Sequence, residues 1–180
     1  MSILNKVRAC FANARKDEEK GKKHKGLLVA GPNHENALEY IKKAKENMEW
    51  CEKYKKGGAD YKLAEEWFYT IYYCALSILS EFGIESRNQK CTALFLRYAK
   101  DSDLITLDDD FIDRITVNSE KEKKTDVDER EEARYGPAVK DSEVAAKYDY
   151  MMERCKTCIA QTEELVFSRK EFRLPEELTK

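Results

Sequence analysis

The stretch of sequence that decides the fold runs from Tyr61 to Phe82 and reads YKLAEEWFYTIYYCALSILSEF. Its apolar residues recur three and four positions apart, the spacing of one helix face: Tyr61, Ala64, Phe68, Ile71, Ala75, Ile78 and Phe82. Four more residues widen this face to most of the circumference: Trp67, Tyr72, Cys74 and Leu79. A helix of this kind belongs at the centre of a bundle. Gly83 follows, a residue type that ends helices without steric cost.

The segments on either side repeat this spacing and predict further amphipathic helices. They are Ile3 to Ala14, Ala37 to Tyr54, a shorter helix from near Ser86, another after Thr106, and a long one from Asp141 or Ser142 to Phe167. Asn33 and Asp60 are suited to cap the helices that follow them. We find no internal repeat and no convincing strand, so the sequence predicts an all-α fold.

The composition is that of one helical domain. The chain has 180 residues, 42% of them hydrophobic and 38% charged, with only seven Gly and three Pro. Its 33 Lys and Arg nearly balance its 35 Asp and Glu, which argues against a general nucleic-acid coat. The charge is unevenly spread, because residues 1–25 are basic and residues 101–132 are acidic. Opposed patches of this kind either steer a partner or are simply solvated helix faces.

No stretch reads as a targeting signal or a membrane span, so we expect a cytoplasmic protein that does not enter membranes. Its six Cys are then expected to be thiols, most of them at apolar helix positions. Cys155 and Cys158 have C-x-x-C spacing, but a second ligand pair is missing, so we interpret both as core residues and expect no metal or cofactor. His24 and His34 are expected on the surface, and Pro175 predicts a poorly tied tail.

A polar cluster lies directly after the central helix. It comprises Glu85, Ser86, Arg87, Asn88, Gln89 and Lys90, followed by Cys91. Because a helix N-terminus offers unpaired N–H groups and a positive dipole, this cluster can hold a phosphate with Arg87 as its bidentate partner. The alternative is a purely structural helix start with Ser86 as its N-cap.

A second cluster, from Asp128 to Gly136, contains Arg130, Glu131 and Tyr135. Its carboxylates can neutralise Arg87 or bind a cation, or else the run is a solvated helix face.

The residues from Ala64 to Leu76 and from Phe82 to Thr92, with Arg130 to Glu132 and Tyr135-Gly136, resemble the HEPN family, especially its small prokaryotic members. The resemblance covers about residues 34–167. It implies an up-and-down bundle of four to five core helices over 34–167. An extra N-terminal helix and charged linker occupy residues 1–33, and a tail occupies residues 168–180.

HEPN proteins commonly dimerise, and many are metal-independent ribonucleases or toxins paired with a nucleotidyltransferase-like antitoxin. Their nuclease motif is an Arg, a polar residue, and a His four to six residues beyond the Arg. Arg87 and Asn88 match its first half, whereas Thr92, Ala93 and Leu94, with Cys91 just before them, stand where an imidazole is needed for acid–base chemistry.

We therefore expect a homodimer that binds a nucleotide, RNA or protein partner with little or no catalysis. The first alternative is a ribonuclease toxin that takes its acid–base group from elsewhere, such as Tyr135 or a histidine of the N-terminal extension. The second alternative is a structural adaptor.

Overall fold

The computed structural model of the chain describes residues 1–116, 130, 141–168 and 170–179. Its elements follow in the order α1 (Ile3–Glu19), β1 (Leu27–Val29), α2 (His34–Lys56), α3 (Leu63–Glu81), β2 (Ile84–Ser86), α4 (Gln89–Asp101), α5 (Asp109–Ile115), α6 (Asp141–Ala146) and α7 (Tyr148–Val166). Short 3-10 turns cover Asp60–Lys62 and Glu176–Leu178. The predicted all-α class is confirmed, since the described residues form a helical bundle with one small sheet.

Helix α3 lies at the centre of the bundle, as its apolar circumference predicts. It packs against α2, α7 and α4, and its largest side chains are inaccessible to solvent, with Trp67 2% and Phe68 1% exposed. Burying a large apolar side chain contributes about 1.5–3 kcal/mol, so this helix supplies much of the driving force for folding. No helix among the described residues is both long and apolar enough to cross a membrane.

A two-stranded antiparallel sheet corrects the expectation that the chain has no strand. Leu27 lies opposite Ser86 and Val29 lies opposite Ile84. Gly83 allows β2 to approach the segment after β1, because its φ is +73° and a Cβ there would lie 2.6 Å from the carbonyl carbon of Gly31. Strands of three residues are too short to show a two-residue alternation, which is why the sequence pattern missed them.

Both ends of the described chain are fastened to the bundle. Val7 and Phe11 of α1 lie in the same apolar core as α3. The predicted poorly tied tail is wrong, because Leu178 is fully buried and the backbone oxygen of Glu177 accepts a hydrogen bond from Arg8 Nε at 2.6 Å. Tyr98 also donates to the Glu177 carboxylate. Pro175 directly precedes the 3-10 turn Glu176–Leu178, which docks on α1 and α4.

The observed helix caps and boundaries match only some of those predicted from the sequence. Asn33 caps α2, its side-chain oxygen accepting from the Asn36 N–H at 2.9 Å, as predicted. Asp60 does not cap α3, because it opens a 3-10 turn and its carboxylate instead lies 3.5 Å from Lys55 Nζ. The predicted last helix is broken at Lys147 into α6 and α7.

Candidate functional site

The predicted site begins with a helix N-cap that the sequence located two residues too early. Helix α4 begins at Gln89, and its N-cap is Asn88, whose side-chain oxygen accepts from the Cys91 N–H at 3.0 Å. Ser86, the predicted cap, is instead the last residue of β2, and its hydroxyl lies 2.7 Å from the Thr92 hydroxyl. Because Ser86 pairs with Leu27 of β1, the backbone stays in an extended conformation there, and the helix begins only after Asn88.

An open cleft of about 1080 Å³ lies beside this helix start. Its walls come from α1, the segment before β1, the first turns of α4, and α5. The residues around it are Met1, Lys6, Ala9, Cys10, Asn13, Lys25, Asn88, Lys90, Cys91, Ala93, Leu94, Arg97, Asp101, Asp109, Asp113 and Thr116. Three of the predicted site residues, Asn88, Lys90 and Cys91, therefore line one cavity.

Three lysines contribute positive charge to the cleft. Lys6 projects from α1, Lys25 precedes β1, and Lys90 lies in the first turn of α4. None of the three forms an ion pair with any residue that the structure describes. The N-terminal dipole of α4 adds to the positive potential beside Lys90, so the cleft is suited to an anion there.

Three carboxylates also line the cleft, and two of them are already paired. Arg97 bonds to Asp109 and to Asp113, the latter at 2.9 Å, and Lys100 lies 2.8 Å from Asp109. Hydrogen bonds from Lys100 and Arg97 lower the pKa of the Asp109 carboxyl. The charges of Asp109 and Asp113 are thus compensated locally, whereas Asp101 has no ion pair with a described residue.

Arg87 lies outside the cleft lining and already has an ionic partner. Its Nε donates to a Glu85 carboxylate oxygen at 2.7 Å, and the same oxygen lies 3.2 Å from His24 Nε2. The hydrogen bond from Arg87, together with the one from His24, lowers the pKa of Glu85. Arg87 is 46% exposed, so the outer edge of its guanidinium faces solvent.

His24 was expected on the surface, and that expectation is wrong, because only 4% of its surface is exposed. Its Nδ1 has no hydrogen-bond partner among the described residues. Nothing in the local sequence indicates this burial, since His24 and Glu85 are 61 residues apart. The contact arises only because β1 pairs with β2.

The remaining predicted residues either have structural roles or lie away from the cleft or outside the described residues. Gln89 Nε2 donates to the Ile115 carbonyl at 3.3 Å, which ties α4 to α5. Arg130 lies 4.4 Å above the Phe68 ring, on the α3 face. Glu131 and Tyr135, like most of the segment from Asp128 to Gly136, lie outside the described residues. The structure therefore places residues 86 to 91 at the start of α4, and it describes neither Glu131 nor Tyr135.

A disulfide crosses the cleft wall and corrects the prediction that all six Cys are thiols. It joins Cys10 of α1 to Cys91 of α4, with Cα atoms 5.8 Å apart, a normal spacing for such a bond. The sequence could not indicate it, because both residues also fit an apolar core position. Cys155 and Cys158 are buried, as predicted. Burial raises the pKa of Cys51 and of Cys74 to about 12.

A row of partly buried tyrosines covers the outer face between α2 and α3. Tyr40 stacks on Tyr73 with ring centroids 6.0 Å apart, and Tyr73 lies 6.0 Å from Tyr69. Lys43 Nζ lies 5.5 Å from the Tyr40 ring centre. Burial raises the pKa of Tyr40 and of Tyr73, so both stay neutral near neutral pH.

The sequence matches no protein-family model, and no curated protein is significantly similar to it.

Proposed function

We propose that this chain is a binding module for phosphate-bearing ligands, either a nucleotide or a short single-stranded RNA. The observation that carries the proposal is that Lys6, Lys25 and Lys90 line one open cleft together with the first turn of α4. These lysines come from three separate segments and have no ion pair with described residues, so their charge is available to an anion. A ligand of this class supplies the negative charge that these lysines lack.

The size and opening of the cleft suit such a ligand. Its volume of about 1080 Å³ is at the upper end of the usual range for small-molecule sites, and it holds a nucleotide with room for a neighbouring residue of RNA. Leu94 and Ala93 add an apolar surface against which a base can pack. A nucleotide and an RNA both carry phosphate. Binding assays with each of them show which one the cleft prefers.

The proposal is a binding function with little or no catalysis, because no described imidazole faces the cleft. His24 is 4% exposed and directs its Nε2 at Glu85, and His34 lies 2.6 Å from Glu81 on the side of α2. Asn88 is occupied as a helix cap and also donates from Nδ2 to the Lys25 carbonyl at 3.3 Å. General acid–base cleavage of RNA needs a group within hydrogen-bond reach of the reacting atoms.

The HEPN resemblance adds a homodimer to this proposal. The tyrosine row formed by Tyr40, Tyr69 and Tyr73 supports it, since tyrosine is enriched in protein interfaces and supplies contact area at a low entropic cost. A dimer is tested by light scattering of the full chain and of its Tyr73→Ala variant. A monomeric mass for the unmodified chain would remove the dimer from the proposal and leave the cleft intact.

The binding test measures fluorescence anisotropy of a labelled oligouridylate and calorimetry with ATP at low salt. We expect Lys6→Ala and Lys90→Ala each to weaken affinity by about tenfold, because each removes a charged hydrogen-bond donor. Lys42→Ala is the matched control, since Lys42 is an exposed α2 lysine that does not line the cleft. Equal losses in all three variants, or no binding of either probe, would contradict the proposal.

A ribonuclease is the second candidate, and the His24, Glu85 and Arg87 contacts are the observation that favours it. A carboxylate that binds both an imidazole and a guanidinium resembles the acid–base part of a nuclease site, with His24 supplied by the N-terminal extension. It requires His24 to become exposed, because the ring is buried as it stands.

Cleavage of the labelled RNA in the presence of EDTA tests this candidate. If the chain is a ribonuclease, we expect it to cleave the RNA, and both His24→Gln and Arg87→Ala to abolish cleavage. We also expect cells that express the unmodified chain to grow more slowly. A nucleotidyltransferase-like antitoxin would then be its expected partner. Intact RNA and equal growth in all strains would eliminate it.

A further inference from the structure

We infer that Cys10 and Cys91 form a reversible disulfide clamp that controls the affinity of the cleft. The inference rests on the proposed binding function and names its regulation. Both sulfurs belong to residues that line the cleft, and the bond between them joins its two main walls, α1 and α4. A redox change at this bond therefore acts on the cleft itself.

The positions of the two cysteines relate the bond directly to the lysines. Lys6 precedes Cys10 by four residues, so the two side chains lie one above the other on the same face of α1. Lys90 immediately precedes Cys91 in the first turn of α4. The disulfide thus holds the Lys6 wall and the Lys90 wall at a set separation, one helical turn or less from each lysine.

The clamp is not needed to hold α1 in the fold. Val7 and Ala14 of α1 are fully buried, and Phe11 is 2% exposed. Arg8 binds the C-terminal turn through the Glu177 carbonyl. Reduction is therefore expected to loosen the contact between α1 and α4 while the bundle stays folded. A looser wall must be ordered again when a ligand binds, which lowers affinity.

The chemistry is a thiol–disulfide exchange with a dithiol. A thiolate of the dithiol attacks one sulfur of the disulfide, forms a mixed disulfide and releases the other cysteine as a thiolate, which takes up a proton. The second thiol of the dithiol then displaces the remaining cysteine. Cys10 and Cys91 end as two thiols, having gained two electrons and two protons, and the dithiol ends as a cyclic disulfide.

The chain limits this exchange to one pair of cysteines. Cys51 and Cys74 are fully buried, and burial raises the pKa of each thiol to about 12, so neither forms a thiolate near neutral pH. Cys155 and Cys158 are 0% and 3% exposed and do not line the cleft. Cys10 and Cys91 are 6% and 8% exposed, and of the six cysteines they are the two that line the open cleft, from which a dithiol can approach.

The experiment compares the oxidised chain, the chain reduced with dithiothreitol, and the Cys10→Ser/Cys91→Ser double variant. Alkylation after denaturation, read by mass spectrometry, is expected to label four cysteines in the oxidised chain and six after reduction. We expect oligouridylate affinity to fall about tenfold on reduction, to be equally weak in the double variant, and to be insensitive to dithiothreitol there.

Amide hydrogen exchange over Ile3–Glu19 supplies a readout that needs no ligand. The clamp predicts faster exchange in α1 after reduction, with α3 unchanged. Six alkylated cysteines in the oxidised chain, unchanged exchange in α1, or equal RNA affinity in both redox states would each overturn the inference. Failure of both redox forms to bind either probe would instead overturn the proposed function, and the exchange result would still decide the clamp.

Discussion

Helices α3 and α4 follow each other in the chain, yet they stabilise the molecule by different means. α3 is buried on most of its circumference, and its side chains act mainly through contact area, to which Ser77 adds one buried hydrogen bond to the Ala37 carbonyl of α2. The start of α4 acts through a capping hydrogen bond from Asn88, a bond between the Ser86 and Thr92 hydroxyls, and the disulfide of Cys91. Stabilisation by buried apolar surface requires close packing on all sides. Specific bonds, in contrast, can stabilise a helix that faces an open cleft.

The largest expected effect is on the α3 side. Trp67→Ala should lower the free energy of unfolding by about 3–5 kcal/mol, because it removes a large side chain from a closed core. The matched control is Trp50→Ala, since Trp50 is 47% exposed on α2 and should cost no more than about 0.5 kcal/mol. Urea denaturation followed by circular dichroism measures both. Similar losses for the two tryptophans would mean that α3 is not the centre of the core.

The next effect belongs to the disulfide. Replacing Cys10 and Cys91 together by Ser should lower the stability of the oxidised chain by about 2–4 kcal/mol, since the bond closes a loop between residues 81 apart. Guanidinium denaturation with and without dithiothreitol measures it. Under dithiothreitol the unmodified chain and the variant should unfold at nearly the same midpoint. A difference that persists there would point to packing of the sulfurs rather than to the covalent link.

A smaller effect is expected at the cap of α4. Asn88→Ala should cost about 1 kcal/mol, because it removes the acceptor of the Cys91 N–H. Asn88→Asp keeps an acceptor at the same place and should retain most of that stability. Thermal unfolding of the two variants compares them. Equal destabilisation by Ala and Asp would assign the effect to the other bond of Asn88, from Nδ2 to the Lys25 carbonyl.

The smallest effect is expected at Arg87. Its pair with Glu85 is exposed at 46% and 43%, so Arg87→Ala should cost less than about 1 kcal/mol near neutral pH. The pKa of Glu85 should rise in the variant, because Arg87 is the main group that lowers it. Carboxyl NMR titration measures this rise. Arg173→Ala is the control, since Arg173 pairs with Glu171 and should leave the Glu85 titration unchanged.

The sign of the accompanying pH dependence follows from the lowered pKa of Glu85. Stability from its pairing is fully present above its ordinary pKa of 4.5 and is lost as the pH falls through the lower folded value. The difference in stability between the unmodified chain and Arg87→Ala should therefore shrink on acidification. A difference that grew at low pH would mean that Glu85 is not the group that Arg87 stabilises.

The candidate site was predictable only where a single short segment forms it. The polar run from Ser86 to Cys91 was recognised from its position after the central helix, and Asn88, Lys90 and Cys91 do line one cleft. Lys6 and Lys25 were not predicted, because nothing in their own neighbourhoods links them to α4. The same holds for His24, which reaches Glu85 from 61 residues away.

The sequence by itself determined the helices, because the three-and-four spacing of apolar side chains is a local property that every turn of a helix repeats. It also determined the α2 cap at Asn33, which depends on neighbours three residues away. Only the tertiary structure decided the Cys10–Cys91 bond, the pairing of β1 with β2, and the docking of Glu177 and Leu178 on α1 and α4. These contacts join residues far apart in the chain, and no local pattern encodes which distant surfaces will meet.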